Sequence, residues 1–320
     1  MREIMFVQAI NEALREELKR DEKVFIMGED IHTGVFGQTR GLFEEFGGER
    51  VRNTPLAELS FTGVGIGAAM GGMRPIVEYM FSDLVLLALD QLANQAGKLR
   101  YIFGEQINFP VTFRTMNIGG GAAGQHSDSA VSYLMHSMGL KIIMPSTPYD
   151  AKGLLKSAIR DDNPVVYFDE AKLMMRKGEV PEEDYTIPIG KGDIKREGKD
   201  VTVVAVGFAE LLAESAAEKL AKENISVEIV DPRTIVPLDE EIILNSVKKT
   251  GRLVVCIDEQ PVSSFTSEVA AIVADKGFEF LKAPIKRVAR ENVPVPHSAI
   301  MENYVVLNED KVIKAIRDVL

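Results

Sequence analysis

Residues 53–78 read NTPLAELSFTGVGIGAAMGGMRPIVE and place a single carboxylate, Glu58, at the head of a long uncharged segment. No other charged residue occurs from residue 59 to residue 73, and three closely spaced glycines in GVGIG allow the backbone to approach a neighbour tightly. We expect Glu58 to be partly desolvated, which raises the pKa of a carboxyl group and suits it to sharing a proton with a basic ligand nitrogen. The alternative is an acidic residue that only stabilises the start of the following helix.

The same segment carries the pattern G-x-G-x-x-A at Gly63, Gly65 and Ala68, which occurs in dinucleotide-binding folds. In those folds the glycines follow a buried strand directly, whereas the preceding residues AELSFT form a poor strand pattern. The context therefore disfavours NAD binding and favours close packing of a helix against its neighbour. A phosphate-binding loop that ends in Gly-Lys-Ser/Thr is absent from the sequence.

On either side of this segment, short apolar runs typical of buried strands alternate with helical patterns. The first half contains the predicted strands VFIMGED, PIVEYM, VTFRTM, KIIMP and PVVYFD, with helices at the N-terminus and over residues 84–100 and 150–160. The second half contains VTVVAVG, VEIVD, RLVVCID and IKRVA, with helices over residues 209–223, 239–249, 264–275 and 309–319. Such alternation indicates parallel sheets covered by helices on both faces.

Between the two halves, residues 170–200 are rich in charge and lack a sustained period, which is typical of an interdomain connection. We therefore predict an α/β protein made of two three-layer α/β domains. The predicted boundaries are 1–178 for the first domain, 179–199 for a linker and 200–320 for the second domain.

The composition of the 320-residue chain is that of an ordinary globular protein, with 46% hydrophobic and 27% charged residues. A formal net charge of −11 disfavours nucleic acid as a partner, because phosphates require a basic surface. The only cysteine, Cys256, excludes an intrachain disulfide and fits a reducing cytoplasm. The N-terminal pattern is that of an amphipathic helix and not of a signal peptide, and the apolar stretches are too short to span a bilayer. We therefore expect a cytoplasmic protein without membrane contact.

A glycine-rich loop, NIGGGAAGQHSDS at residues 117–129, begins where the predicted strand VTFRTM ends. Ligands of open parallel sheets bind at this edge, and His126 supplies a side chain that titrates near neutral pH. A functional histidine and an ordinary solvated loop histidine are both compatible with this position. No pair of His, Cys or Asp residues has the spacing of a dedicated zinc site.

Several strings along the chain match one known family. They are GED at 28–30, NTPLAE at 53–58, GVGIGAA at 63–69, DQLANQAGKLRY at 90–101, QHSDS at 125–129, PSTPYDAKGLLKSAIRDDNPVV at 145–166, DPRTIVPLD at 231–239 and KTGRLVV at 249–255. Taken together, they resemble from end to end the beta subunit of the thiamin-diphosphate-dependent decarboxylase component of 2-oxo acid dehydrogenase complexes. The resemblance extends to pyruvate, branched-chain 2-oxo acid and acetoin members.

This resemblance implies a transketolase-type pyrimidine-binding domain followed by a transketolase C-terminal domain. Glu58 matches the family glutamate that bonds to N1′ of the cofactor's aminopyrimidine and so assists deprotonation of thiazolium C2. Leu56 and Met80 match positions of the pyrimidine pocket, and Leu84 stands where most members carry Phe or Tyr against that ring. His126 matches an active-site histidine at the channel by which the lipoyl group enters.

The resemblance also implies bound ions and partner chains. A structural potassium ion would be held mainly by carbonyl oxygens of Val111, Ala158, Ile159, Asp161 and Asn163. The family's Gly-Asp-Gly…Asn motif, which holds Mg²⁺ and the diphosphate, belongs to an alpha subunit, and this chain has no Gly-Asp-Gly. The expected assembly is therefore an α2β2 heterotetramer that binds a lipoyl acyltransferase core.

The implied reaction is cleavage of a C–C bond in a 2-oxo acid of the pyruvate type, followed by transfer of the acyl group to lipoamide. Gln125 before the histidine is typical of pyruvate or acetoin members, and beta subunits of acetoin and branched-chain 2-oxo acid dehydrogenases remain alternatives. Transketolase-like ketol transferases are disfavoured, since they carry both cofactor halves on one longer chain. The alternative from another functional class is a non-catalytic subunit that docks the complex to its core.

Overall fold

The computed structural model describes all residues from Met1 to Leu320. The chain forms two compact units, and each unit contains two separate stretches of sequence. Unit 1 comprises Met1–Asn117 and Tyr133–Ile189, and unit 2 comprises Ile118–Ser132 and Gly190–Leu320. A loop that follows a strand of unit 1 is therefore part of unit 2.

Strands and helices alternate through most of the chain, as the sequence pattern predicts. The strands are β1 (Arg2–Met5), β2 (Val24–Gly28), β3 (Val51–Asn53), β4 (Arg74–Glu78), β5 (Thr112–Asn117), β6 (Lys141–Ile143), β7 (Val165–Glu170), β8 (Lys177–Val180), β9 (Asp193–Arg196), β10 (Val201–Ala205), β11 (Val227–Asp231), β12 (Thr234–Val236), β13 (Leu253–Cys256) and β14 (Lys286–Val288). The α-helices are α1 (Phe6–Arg20), α2 (Leu42–Phe46), α3 (Glu58–Met70), α4 (Gly97–Ile102), α5 (Ala123–His126), α6 (Val131–Met135), α7 (Pro148–Arg160), α8 (Phe208–Ala221), α9 (Glu240–Thr250), α10 (Phe265–Lys276), α11 (Ala299–Val305) and α12 (Glu309–Arg317). None of the helices has the length and apolar character needed to cross a bilayer.

In unit 1, six parallel strands lie side by side in the order β6-β7-β5-β4-β2-β3. Every residue of β2, β5 and β7 is buried. Burial on both faces is the reason why β2 and the first half of β7 read as continuous apolar runs. A separate antiparallel ribbon pairs β1 with β8. The sheet confirms the predicted α/β class for this half of the chain.

Helix α1 buries the stripe that its sequence period predicts. Phe6, Ile10 and Leu14 are fully buried, because residues three and four apart share one face of a helix. Helix α7 packs alongside α1. Its buried Lys152 extends to Glu16 of α1, with 2.6 Å between Nζ and Oε1. An ion pair therefore joins the two helices next to their apolar contact.

Helix α3 packs closely on β4, as its glycine-rich sequence predicts. A Cβ atom at Gly65 would lie 2.4 Å from Cγ2 of Val77, a distance that no real side chain tolerates. Glycine at this position therefore sets the approach of the helix to the strand.

The next helical segment differs from its prediction. The sequence pattern predicts one α-helix over residues 84–100, whereas the structure has a 3-10 helix at Ser82–Ala88, a π-helix at Gln91–Ala96 and then α4. All three helix types bring residues three to five apart onto one side. The apolar spacing in the sequence therefore cannot distinguish among them.

Unit 2 contains a second sheet, with the order β14-β13-β10-β11-β9. Strand β9 is antiparallel to β11, and the other pairs are parallel. Helices α8 and α12 contribute Ala213, Ala217, Val312 and Ile316 to the core beside this sheet. Cys256 lies in the same core, where burial raises the pKa of its thiol and keeps it protonated and unreactive.

The segment expected to connect the domains, residues 179–199, contains regular structure at both ends. Strand β8 overlaps its start and pairs with β1 of unit 1. Strand β9 lies near its end and pairs with β11 of unit 2. The two strands therefore do not form a hairpin with each other, and unit 1 gives way to unit 2 after Ile189.

Candidate cofactor site and the histidine loop

Glu58 is the first residue of α3, and its side chain is almost completely enclosed, with 7% exposure. An acidic group in the first turn also interacts favourably with the helix dipole. One turn later, the hydroxyl of Thr62 donates to the carbonyl oxygen of Glu58 at 2.5 Å and forms a 2.6 Å hydrogen bond with the hydroxyl of Tyr79. Glu58 is therefore both a helix-start residue and a buried acid, so the two interpretations of the sequence are compatible.

A second buried acid, Glu29, is in contact with Glu58. Glu29 follows β2 directly and is 6% exposed. Burial, and after it the charge of the neighbouring Glu58 and a shared hydrogen bond, together raise the pKa of Glu29 to about 7. No donor from elsewhere in the chain reaches either oxygen of Glu29. Because two touching carboxyl groups resist joint ionisation, the pair holds one proton near neutral pH.

The backbone beneath Glu29 is fixed by a close contact between β2 and β4. A Cβ atom at Gly28 would lie 2.4 Å from the carbonyl oxygen of Glu78, so this position requires glycine. The Glu78 carboxylate pairs with the buried guanidinium of Arg114, which also pairs with Asp169. Burial raises the pKa of Asp169 to about 7 against the opposing effect of Arg114. The network connects β4, β5 and β7 near the carboxyl pair.

A small cleft beside Glu29 contains one of the residues predicted to form the pyrimidine pocket. Met80 lines this cleft together with Phe36. Leu56 lies in the loop before α3 and is 81% exposed, and Leu84 is half-buried in the 3-10 helix that follows β4. The structure therefore places Met80 in the same cleft as Glu29, whereas Leu56 and Leu84 lie outside the lining of this cleft.

His126 lies in the loop of unit 2 that follows β5. It is the last residue of the short helix α5, and its side chain is exposed. The glycines at positions 119, 120 and 121 all have positive φ angles. Glycine adopts such angles without strain, which explains the run GGG before the histidine. The structure therefore presents His126 on a tightly curved, glycine-rich loop.

Comparison with known proteins identifies the family. The family model "Transketolase, pyrimidine binding domain" matches residues 2–176, and "Transketolase, C-terminal domain" matches residues 190–312. The 2-oxoisovalerate dehydrogenase subunit beta of Bacillus subtilis (strain 168) is 47% identical over 98% of this chain and 97% of the relative. The chain belongs to the family of transketolase-like E1 beta subunits.

Other E1 beta relatives differ in the substrate that their names give. The acetoin:2,6-dichlorophenolindophenol oxidoreductase subunit beta of Bacillus subtilis (strain 168) is 43% identical over 100% of this chain and 98% of the relative. The pyruvate dehydrogenase E1 component subunit beta of Rhizobium meliloti (strain 1021) is 43% identical over 98% of this chain and 69% of the relative. A solved structure titled "Split gene transketolase, inactive beta4 tetramer" has a TM-score of 0.82 at 23% identity and covers 99% of this chain and 98% of its own. That likeness confirms the predicted two-domain fold.

The five residues predicted to hold potassium all lie in unit 1. Val111 precedes β5, Ala158 and Ile159 lie in the last turn of α7, and Asp161 and Asn163 lie before β7. Their carbonyl groups already accept hydrogen bonds in four of the five cases. Those bonds run from Val165 to Val111 at 3.0 Å, from Asp161 to Ala158 at 3.3 Å, and from the Arg74 guanidinium to Ile159 at 3.2 Å and to Asp161 at 3.1 Å. A carbonyl oxygen has two lone pairs, so one that accepts a hydrogen bond can still bind a cation. These hydrogen bonds therefore do not exclude potassium, and the potassium site stays a prediction.

The prediction from sequence does not include Glu29 among the site residues. Its signal in the sequence is the acidic pair GED directly after the apolar run VFIM. Acidic groups at the carboxyl end of a buried parallel strand lie where open α/β sheets bind ligands. That placement could have identified Glu29, although its contact with Glu58 depends on the fold.

Proposed function

We propose that this E1 beta subunit provides the pyrimidine half of a thiamin diphosphate site and catalyses the decarboxylation of a 2-oxo acid together with an alpha subunit. The acyl group is then transferred to lipoamide on an acyltransferase core. The observation that carries the proposal is the buried Glu29–Glu58 pair, which holds a proton near neutral pH. A subunit that served only for docking would have no use for two enclosed acids without other donors.

The residues around the pair suit an aminopyrimidine ring. The ring carries a basic nitrogen that can share a proton with Glu58, and Glu29 maintains a protonated carboxyl group beside it. Met80 offers an apolar contact in the adjoining cleft, and the exposed side chain of Leu56 is available to cover a ligand or a partner. Leu84, in the predicted position of an aromatic residue, would cover the ring without stacking. When bound, thiamin diphosphate supplies the electron sink for C–C cleavage.

The side chains of this chain orient the ring and control its proton. Glu58 is fixed at the start of α3, and the Thr62–Tyr79 hydrogen bond stabilises the first turn of that helix. Because burial and the neighbouring Glu58 raise the pKa of Glu29, a proton remains available at the carboxyl oxygens of Glu29. Burial of both acids limits the access of bulk water to this exchange.

The diphosphate half of the site is proposed to come from the alpha subunit. Mg²⁺ binds through carboxylates and phosphate oxygens, and no group of three or more His, Cys, Asp or Glu side chains that could hold a metal ion occurs in this chain. We therefore propose an α2β2 heterotetramer. His126, exposed on its loop, is proposed to act where the lipoyl group enters.

The proposed substrate is a short 2-oxo acid of the pyruvate type. Gln125, which directly precedes His126, is typical of pyruvate or acetoin members and so favours this choice over a branched-chain 2-oxo acid. The relatives named for 2-oxoisovalerate and for acetoin keep both of those substrates as alternatives.

The test is reconstitution with an alpha subunit that carries Gly-Asp-Gly. Calorimetric titration with magnesium–thiamin diphosphate should give weak or no binding to the isolated chain and tight binding to the reconstituted enzyme. Pyruvate, 2-oxoisovalerate and acetoin are then compared as substrates with an artificial oxidant. Micromolar or tighter binding by the isolated chain would contradict the divided site, and inactivity on all three substrates despite cofactor binding would contradict the function.

A further inference from the structure

A buried ion pair in unit 2 lies next to the histidine loop. Arg290 is 4% exposed and Asp258 is 3% exposed, and Nε of Arg290 donates to Oδ1 of Asp258 at 2.7 Å. The same carboxylate oxygen accepts the backbone N–H of Leu307 at 3.3 Å. The backbone N–H of Arg290 donates to the carbonyl oxygen of Glu259 at 2.9 Å. The guanidinium and the backbone of Arg290 are therefore both held by the segment that follows β13.

The same guanidinium also reaches the loop. Nη1 of Arg290 donates to the carbonyl oxygen of Ser127, the residue after His126. Ser127 is fully buried, and its Oγ accepts the backbone N–H of Ala122 at 3.2 Å. A planar guanidinium can donate in several fixed directions at once, and lysine cannot reproduce this geometry. Arg290 therefore connects the rigid core of unit 2 to the turn that carries the histidine.

A second contact holds the far side of the same turn. The backbone N–H of Asp128 donates to the carbonyl oxygen of Gln125 at 2.9 Å, which closes a turn with His126 at its second position. Oδ1 of Asp128 accepts the side-chain amide of Gln260, and also the backbone N–H of Ser129 at 3.0 Å. The turn is thus held at its third residue by Arg290 and at its fourth residue by Gln260.

These contacts matter because the preceding loop has little stiffness of its own. The glycines at 119–121 have no side chains that could restrict the backbone, and ordering such a segment costs conformational entropy. His126 itself is exposed. The two side chains hold the backbone of the turn from which its imidazole projects.

We propose that Arg290 and Gln260 are positioning residues for His126. Neither side chain acts on the substrate. Each holds a neighbour of the histidine, so that the imidazole points in one direction while the acyl acceptor approaches. This inference rests on the proposed function, in which His126 serves the transfer to lipoamide.

The functional test compares Arg290→Ala and Gln260→Ala with the matched control Arg317→Ala, which removes an exposed arginine from α12. Misplacement of a reacting group by about 1 Å costs about 10²-fold in rate. We expect Arg290→Ala to lower lipoamide acylation by about that factor and to lower the artificial-oxidant reaction far less. Added guanidinium ion should restore much of the loss, whereas Arg290→Lys should remain impaired. Equal losses in both assays, or no loss in either, would overturn the proposal.

A second measurement does not depend on the enzymatic reaction. In the full chain labelled with ¹³C-histidine, the His126 signal is assigned from its disappearance in His126→Gln. Gln260→Ala removes only one hydrogen bond to the turn. This variant should shift the His126 signal and leave the signals of the other three histidines unchanged. Arg290→Ala should have the same effect, provided that the variant folds. An unmoved His126 signal in Gln260→Ala would overturn the positioning role. A shifted signal in a chain without 2-oxo acid activity after reconstitution would support positioning and refute the proposed function.

Discussion

Replacement of Glu29 by glutamine is expected to stabilise the protein at neutral and alkaline pH while lowering its activity. The pKa of Glu29 in the folded chain is about 7, above the ordinary value of 4.5. The native state therefore binds an extra proton between these two values, and stability falls as the pH rises through this window. Glutamine stays neutral, like the protonated acid, so the variant should not show this loss.

The magnitude follows from the same difference in pKa. A change from 4.5 to about 7 corresponds to about 3 kcal/mol of unfolding free energy. Water that reaches the pair from its cleft weakens the repulsion, so we expect a gain of about 1–2 kcal/mol at about pH 8 and almost none at about pH 4. Activity should fall, because glutamine cannot provide the carboxyl proton that the pair exchanges.

The measurement is urea unfolding of wild type and Glu29→Gln at both pH values. The free energy of unfolding follows from the urea concentration at the midpoint and from the slope of the free energy against urea concentration. The control is Glu44→Gln, which changes an exposed glutamate on α2 and should behave like wild type at both pH values. An equal gain in unfolding free energy at both pH values would refute the reasoning. It would show that the gain does not come from the titration of Glu29. A loss of stability at the higher pH would refute it as well.

Three further substitutions test the site in the reconstituted enzyme. Glu58→Gln should lower turnover by about 10²–10⁴-fold, because an amide cannot supply the proton, and near-normal exchange of the cofactor's C2 proton would contradict this role. His126→Ala should reduce lipoamide acylation more than decarboxylation measured with an artificial oxidant, so similar losses in both assays would separate the histidine from the lipoyl step. Leu84→Phe should maintain or raise cofactor affinity by at most about 0.5–1.5 kcal/mol, and a large calorimetric loss would indicate a pocket shaped around leucine.

Most of the fold is readable from local patterns. The helical spacing of Phe6, Ile10 and Leu14 predicts α1. The continuous apolar runs, which are typical of strands buried on both faces, predict the central strands of both sheets. The helix types after β4 are not readable in this way, since the 3-10 and π segments share their apolar spacing with an α-helix. The assignment of residues 118–132 to unit 2 depends on contacts with residues more than a hundred positions away.

The site is readable only in part. The isolated charge of Glu58 in an apolar segment predicts a buried acid, and the structure encloses it. Glu29 has a raised pKa, and only the fold brings it into contact with Glu58. Arg290 gives no signal in the sequence at all. Its role depends on Asp258 and on the loop, and only the fold brings these groups together.

The membership of residues 118–132 in unit 2 has a consequence for biosynthesis and for fragment design. These residues leave the ribosome long before Asp258 and Arg290, so the turn around His126 remains without its anchors until most of the chain is made. A fragment that ends near residue 189 would carry the histidine but not the groups that hold its turn. Dissection of this chain into two autonomous pieces therefore requires transfer of the loop to the second piece, and not only a cut at the junction.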